Sequence, residues 1–135
     1  MKEILAVIRM NKINATKAAL VEAGYSALTG CKVMGRGSRP VDYEVVKAAT
    51  EDAQPMPEVL ESLSSTPRLI AKRMITLVVP DESVPGVVEV LIQVNRSGQT
   101  GNAGDGKIFV LPMSDAVRIR TGDTGDKAVS EMLAS

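Results

Sequence analysis

The apolar pattern of this 135-residue chain falls into two strand–helix–strand halves separated by one long proline-punctuated stretch, and that order leaves few folds open. In the first half, KEILAVIR (residues 2–9) alternates as a strand with Ile4, Ala6 and Ile8 on one face. KINATKAALVEAG (12–24) reads as a helix. Alanine is abundant, Ile13, Leu20 and Val21 can share a face, and Gly24 stands where a C-terminal cap belongs. ALTGCKVMGRG (27–37) reads as a second strand. The second half opens on LIAKRMITLVVP (69–80), a strand stopped by Pro80-Asp81. SVPGVVEVLIQVN (83–95) satisfies two periods at once. Val84, Val87, Val88 and Leu91 form a helical stripe, while Val88, Val90, Ile92 and Val94 alternate as a strand. The Ser83–Pro85 start and the order of elements favour the helix. KIFVLPM is the last strand, and AVRIRTG a short extension of it. The tail, within 121–135, is expected to be mobile or to form a terminal turn. The plan is βαββαβ, the split βαβ arrangement of ferredoxin-like α+β folds, in one domain spanning 1–135.

The intervening stretch, 38–68, holds four of the seven prolines and is rich in polar residues. It is too long for an ordinary connection, and long loops of this kind are usually functional or disordered. VVKAATED and PEVLESL within it could each form a helical turn against a partner. The bland alternative is a tolerated surface insertion.

Composition narrows the chemistry. The absence of histidine excludes histidine acid–base work, Ser-His triads and histidine metal sites. Cys31 is the single cysteine, so an internal disulfide and a thiolate zinc site within one chain are excluded, and a reducing compartment fits. Sixteen basic and sixteen acidic residues balance, which gives no argument for nucleic acid or a membrane surface. Aromatics at 2% are too few for base-stacking platforms. No run approaches the ~18 apolar residues of a membrane span. The expectation is a cytoplasmic binding or regulatory module rather than an enzyme.

GNAGDGKIFV (101–110) comes close to a phosphate-binding loop. Gly101, Gly106 and Lys107 satisfy the first part of G-x-x-x-x-G-K-[ST], but Ile108 replaces the hydroxyl that would hold Mg²⁺, and a strand follows instead of a helix. Glycine lets backbone N–H groups close on an anion, and Lys107 can reach a phosphate as a point charge. On a strand, Arg118 and Arg120 of RIRTGD would project to one face. Side by side they repel unless exposed or paired with an anion. Glycine nest, lysine and paired arginines together are what an anionic nucleotide tail needs. The bland alternatives are a flexible connection for the loop and, for the arginines, a solvated face or salt bridges to carboxylates.

GDGKIFVLPMSDAVRIRTGDTGDKAV (104–129) resembles the C-terminal signature of the PII signal-transduction proteins. MKEILAVIRMNKINATKAALVEAGYSALTGCKVMGRG is similar to the family's N-terminal half without gaps, and ITLVVPD (75–81) to the strand that follows its T-loop. The resemblance covers most of the chain and breaks at 38–68, the T-loop position. That divergence resembles the nitrogenase-associated branch of the family.

The resemblance implies a homotrimer of ferredoxin-like subunits with ATP or ADP in the clefts between subunits. It implies that Gly104, Asp105, Gly106 and Lys107, within the B-loop 101–107, grip phosphates. Arg118 and Arg120 would reach those phosphates from the neighbouring subunit. Thr29, Gly35 and Gly37 match positions around the adenine and the loop base, and Val78 a backbone contact to the base. Lys72 matches the lysine that pairs with a carboxylate of 2-oxoglutarate. Arg39 falls where the family uses a glutamine to chelate Mg²⁺. An arginine cannot ligate a cation. Either the loop is offset by one or two residues, or metal and 2-oxoglutarate are held differently. Tyr43 is the one tyrosine in the loop and lies near its base, which argues against uridylylation. The implied partner is the catalytic component of nitrogenase, inhibited by T-loop docking, with a second PII-like paralogue in a mixed oligomer as a further possibility. The alternatives are a general PII-type regulator of another nitrogen-metabolism target, a small ATP-hydrolysing enzyme and a purely structural trimer.

Overall fold

A computed structural model describes residues 1–37 and 69–130. Residues 38–68, with Arg39 and Tyr43 and the expectations placed on them, lie outside the described residues, as do 131–135.

Strand β1 (Lys2–Arg9) is central. It pairs antiparallel with β3 (Ile70–Val79) on one side and with β4 (Gly106–Pro112) on the other, and β2 (Thr29–Gly35) pairs with β3. The sheet order is therefore β2-β3-β1-β4. The alternation of β1 decides which face is covered: Ile4, Ala6 and Ile8 are buried against Leu20, Val87 and Leu91 of the helices. Ile75, Leu77 and Val79 of β3 join them. Each Ile, Leu or Val among them contributes about 1.5–3 kcal/mol when fully buried.

The two helices above this face are α1 (Ile13–Glu22) and α2 (Val84–Asn95). The ambiguous run of the second half is helical. Pro85 sits in its first turn, and Val87, Leu91 and Asn95, four residues apart, form its buried edge. In α1 the expected apolar face needs correction. Ile13 and Leu20 face the core, but Val21 is 53% exposed, and Thr16 takes the inward position instead. A buried threonine needs a partner. Its hydroxyl donates to the Lys12 carbonyl (2.7 Å), and Asn95 Nδ2 donates across to Thr16 Oγ1 (3.2 Å) and to the Leu91 carbonyl (3.0 Å). Gly24, with φ +97°, ends α1 as expected, its N–H donating to the Val21 carbonyl at 3.0 Å.

The helices leave the other face of the sheet open. Leu5 stands there between Thr76 and Phe109, and Val7 between Met74 and Lys107. Phe109 is about half exposed in the single chain.

The expected strand extension through RIRTG does not form. Val117 makes an isolated bridge to Thr124, and the chain turns between them. The Gly122 N–H donates to the Arg118 carbonyl (2.7 Å) and the Arg118 N–H to the Asp123 carbonyl (2.9 Å), so a hairpin replaces the strand. A terminal turn, α3 (Asp126–Val129), follows.

Candidate functional site

The chain leaves α2 at Asn95 and enters β4 at Gly106, so the glycine-rich stretch between them is fixed at both ends. Its organiser is Asp105. That carboxylate accepts from Arg9 Nη1 (2.9 Å), from the Ser97 N–H (2.9 Å), from the Ser97 hydroxyl and from the Asn102 N–H (2.9 Å). Burial alone would raise its pKa. The hydrogen bonds from Ser97 and Asn102 and the charge of Arg9 outweigh that and hold it below the ordinary carboxylate value of 3.8.

A prediction follows from the sign of this shift. A carboxyl group whose pKa is depressed in the folded chain stabilises it above the unfolded value, and that contribution is lost as pH falls through the folded value. The Ser97 and Asn102 amide resonances should titrate with a midpoint below the ordinary carboxylate value of 3.8. A midpoint at or above that value would contradict the assignment of Asp105 as their charged acceptor.

Gly106 explains why the loop ends in glycine. Its φ is +124°, and a Cβ there would lie 2.2 Å from the Val7 carbonyl oxygen. Lys107, the next residue, pairs with Val7 at the head of β4. Lys72 on β3 reaches the same place from the other side, its ammonium donating to the Gly104 carbonyl at 2.8 Å. Burial and the nearby Arg9 charge lower the pKa of Lys72, and Asp105 partly offsets them.

Apart from the undescribed Arg39 and from Asp105, which lines a separate cavity of about 640 Å³ beside α2, the site residues expected from sequence fall into two sets. Gly35, Gly37, Lys72, Gly104, Gly106 and Lys107 line one cavity of about 420 Å³. Gly37 is the last described residue before 38–68, so the long stretch departs from the rim of this cavity. Thr29, Val78, Arg118 and Arg120 line another, of about 730 Å³. Lys72 and Val78 are six residues apart on β3, roughly 20 Å at the rise of a strand. Arg118 takes the carboxylate salt bridge and Arg120 the solvated face, the two bland alternatives that the sequence left open. Arg118 bonds Asp123 (3.2 Å) and donates to the Lys127 and Ala128 carbonyls (3.3 and 3.2 Å), while Arg120 is exposed.

For a divalent cation the donor set is poor. Among the described residues no cluster of three or more acidic, cysteine or histidine side chains occurs. Asp105, beside the first cavity, spends its oxygens on Arg9, Ser97 and Asn102. These residues do not fit a protein-held Mg²⁺ site.

Sequence reading missed Arg9 and Ser97. Their only signal was the acid in the glycine loop, which needs partners if buried, and nothing in the sequence says that Arg9 lies beneath it. Among the described residues no helix is long and apolar enough to cross a membrane.

The family model described as nitrogen regulatory protein P-II matches residues 1–123. A Methanobacterium ivanovii protein named "Nitrogen fixation nifHD region GlnB-like protein 2" is 46% identical over 129 residues, 96% of this chain and 99% of that protein. Its namesake from Methanothermococcus thermolithotrophicus is 40% identical over 129 residues, 96% of this chain and 98% of that protein. The crystal structure of Arabidopsis thaliana PII bound to citrate superposes with a TM-score of 0.64 at 27% identity, covering 95% of this chain and 88% of that one.

Proposed function

Since this chain belongs to the PII family of nitrogen regulatory proteins, which are signal-transduction proteins and not enzymes, we propose that it reads adenine nucleotides and 2-oxoglutarate and passes the result to nitrogenase through residues 38–68. One observation carries the reading: a glycine loop, two lysines and the departure point of the long stretch share a single cavity. PII proteins in general bind ATP or ADP and 2-oxoglutarate. Here Lys107 and the backbone of Gly104–Gly106 suit phosphates, and Lys72 suits a carboxylate. Thr29 and Val78 suit the base. Asp105 serves by shaping the loop.

The two cavities make sense together in an oligomer, with a trimer as our reading. Base contacts and arginines come from one subunit, and the glycine loop and lysines from its neighbour. The open sheet face, with Leu5, Val7 and Phe109, supplies apolar surface for the assembly. Magnesium, where present, would be held by oxygens of the nucleotide and the keto acid.

The mechanism is a population shift. Ligands at Gly37 and Lys72 favour one arrangement of residues 38–68, and that arrangement differs in affinity for the partner. The relatives named for the nifHD region support nitrogenase as the partner. 2-Oxoglutarate signals nitrogen shortage, when nitrogenase must run, so it should release the complex together with ATP. The test is capture of the catalytic nitrogenase component on the immobilised protein, with and without both ligands. The wild type should release its partner. Lys72→Ala should bind and no longer let go, and deletion of Asp42–Ser65 should abolish capture while sparing nucleotide binding. A deletion variant that still captures and inhibits nitrogenase overturns the docking role of the loop.

A further inference from the structure

We propose that Arg9 is the positioning residue of the phosphate loop, setting nucleotide affinity without touching the nucleotide. The inference rests on the reading that this loop holds phosphate. Arg9 ends β1 and is only 7% exposed. Its guanidinium forks beneath the loop: Nη1 donates to Asp105 Oδ1 (2.9 Å) and Nη2 to the Ala103 carbonyl (3.0 Å). The cavity that holds Lys72 and Lys107 is not lined by Arg9.

Why the loop needs such a residue follows from what it lacks. A glycine-rich segment has little shape of its own and loses much conformational entropy when ordered. Its carbonyl oxygens also repel an approaching phosphate wherever they face it. Here three successive carbonyls are engaged within the protein. That of Asn102 accepts from the Asp105 N–H (3.1 Å), that of Ala103 from Arg9, and that of Gly104 from Lys72. Arg9 supplies one of these bonds directly and braces Asp105, whose carboxylate ties in Ser97 at the entrance and Asn102 in the middle. A lysine cannot replace it, because an ammonium is a point charge and the two acceptors need a planar fork.

The test is a double-mutant cycle in ATP affinity, measured by calorimetry on the full chain. Arg9→Gln and Asp105→Asn should each weaken ATP binding about tenfold, within the range of coupling between residues in contact. The double variant should be no more than about threefold weaker than the worse single. Losses that simply multiply mean that Arg9 acts on the ligand by another route, and unchanged affinity in Arg9→Gln removes its role; either overturns the proposal. If Arg9→Gln fails to fold, Arg9→Lys keeps the charge and removes the fork, and the same cycle is read on it. Wild-type protein that binds no ATP defeats instead the functional reading beneath the proposal.

Discussion

A single methyl group added at Gly106 should cost the protein a large share of its stability. The added Cβ would stand 2.2 Å from the Val7 carbonyl oxygen, at a φ of +124° that an L-residue rarely adopts. The obstacle is the backbone of β1 beside the start of the edge strand β4, so no side chain can swing away to make room. Backbone strain and displacement of the ladder together put the cost of Gly106→Ala on the order of 3–5 kcal/mol. A domain of this size loses about 3–5 °C in melting temperature per kcal/mol. Gly37→Ala is the control for stability, because among the described residues its methyl would meet nothing within 4 Å. Thermal melting should place Gly37→Ala near the wild type and Gly106→Ala far below it. Equal melting temperatures would mean that the approach of Gly106 to Val7 is not as tight as described.

The second large effect tests the proposed division of a nucleotide cleft between two subunits. Lys107→Ala and Arg120→Ala should each weaken ATP binding by about tenfold or more, since a charge-assisted contact contributes roughly 1.5–3 kcal/mol. When the two variants are unfolded together and reassembled, high-affinity binding should return. In every mixed trimer, one cleft then joins an intact Lys107 from one subunit to an intact Arg120 from another. The reassembled mixture should therefore show a tight class of sites that neither variant shows alone. No recovery, in a preparation shown by mass spectrometry to contain mixed oligomers, would place both residues on one subunit's site and remove the cross-subunit cleft. Light scattering on the wild type should give the companion result, an oligomer rather than a monomer mass.

Much of the scaffold was legible because local pattern and tertiary burial agree in it. Ile4, Ala6 and Ile8 alternate in sequence and are buried together. The run 83–95 carried both periods, and Pro85 tipped it towards the helix that forms. What could not be read was set by contacts between distant residues. Arg9 and Asp105 meet across nearly the whole chain, and only the register of β1 against β3 and β4 brings them together. Arg118 and Arg120 have the spacing of a strand, yet Asp123 captures Arg118 and closes a hairpin before any ladder can form. In α1 the stripe was misjudged at Val21, because a polar residue, Thr16, found a buried partner on the other helix.

That partner, Asn95, works as a registration pin between the two helices. If α1 slid or rolled against α2, the Asn95–Thr16 bond would break and leave one buried amide N–H without its partner, a penalty of about 1–3 kcal/mol, although each side chain keeps its bond within its own helix. The helical layer therefore behaves as a keyed plate and not as a pair of rollers. The pin sits in the last turn of α2, and two residues beyond it Ser97 hands its N–H and hydroxyl to Asp105. The glycine loop thus takes its origin from a fixed point in the helical layer. Under the proposed function, ligand-driven movement would then fall at the end of the sheet near Gly35–Gly37, because the plate behind it is keyed in place.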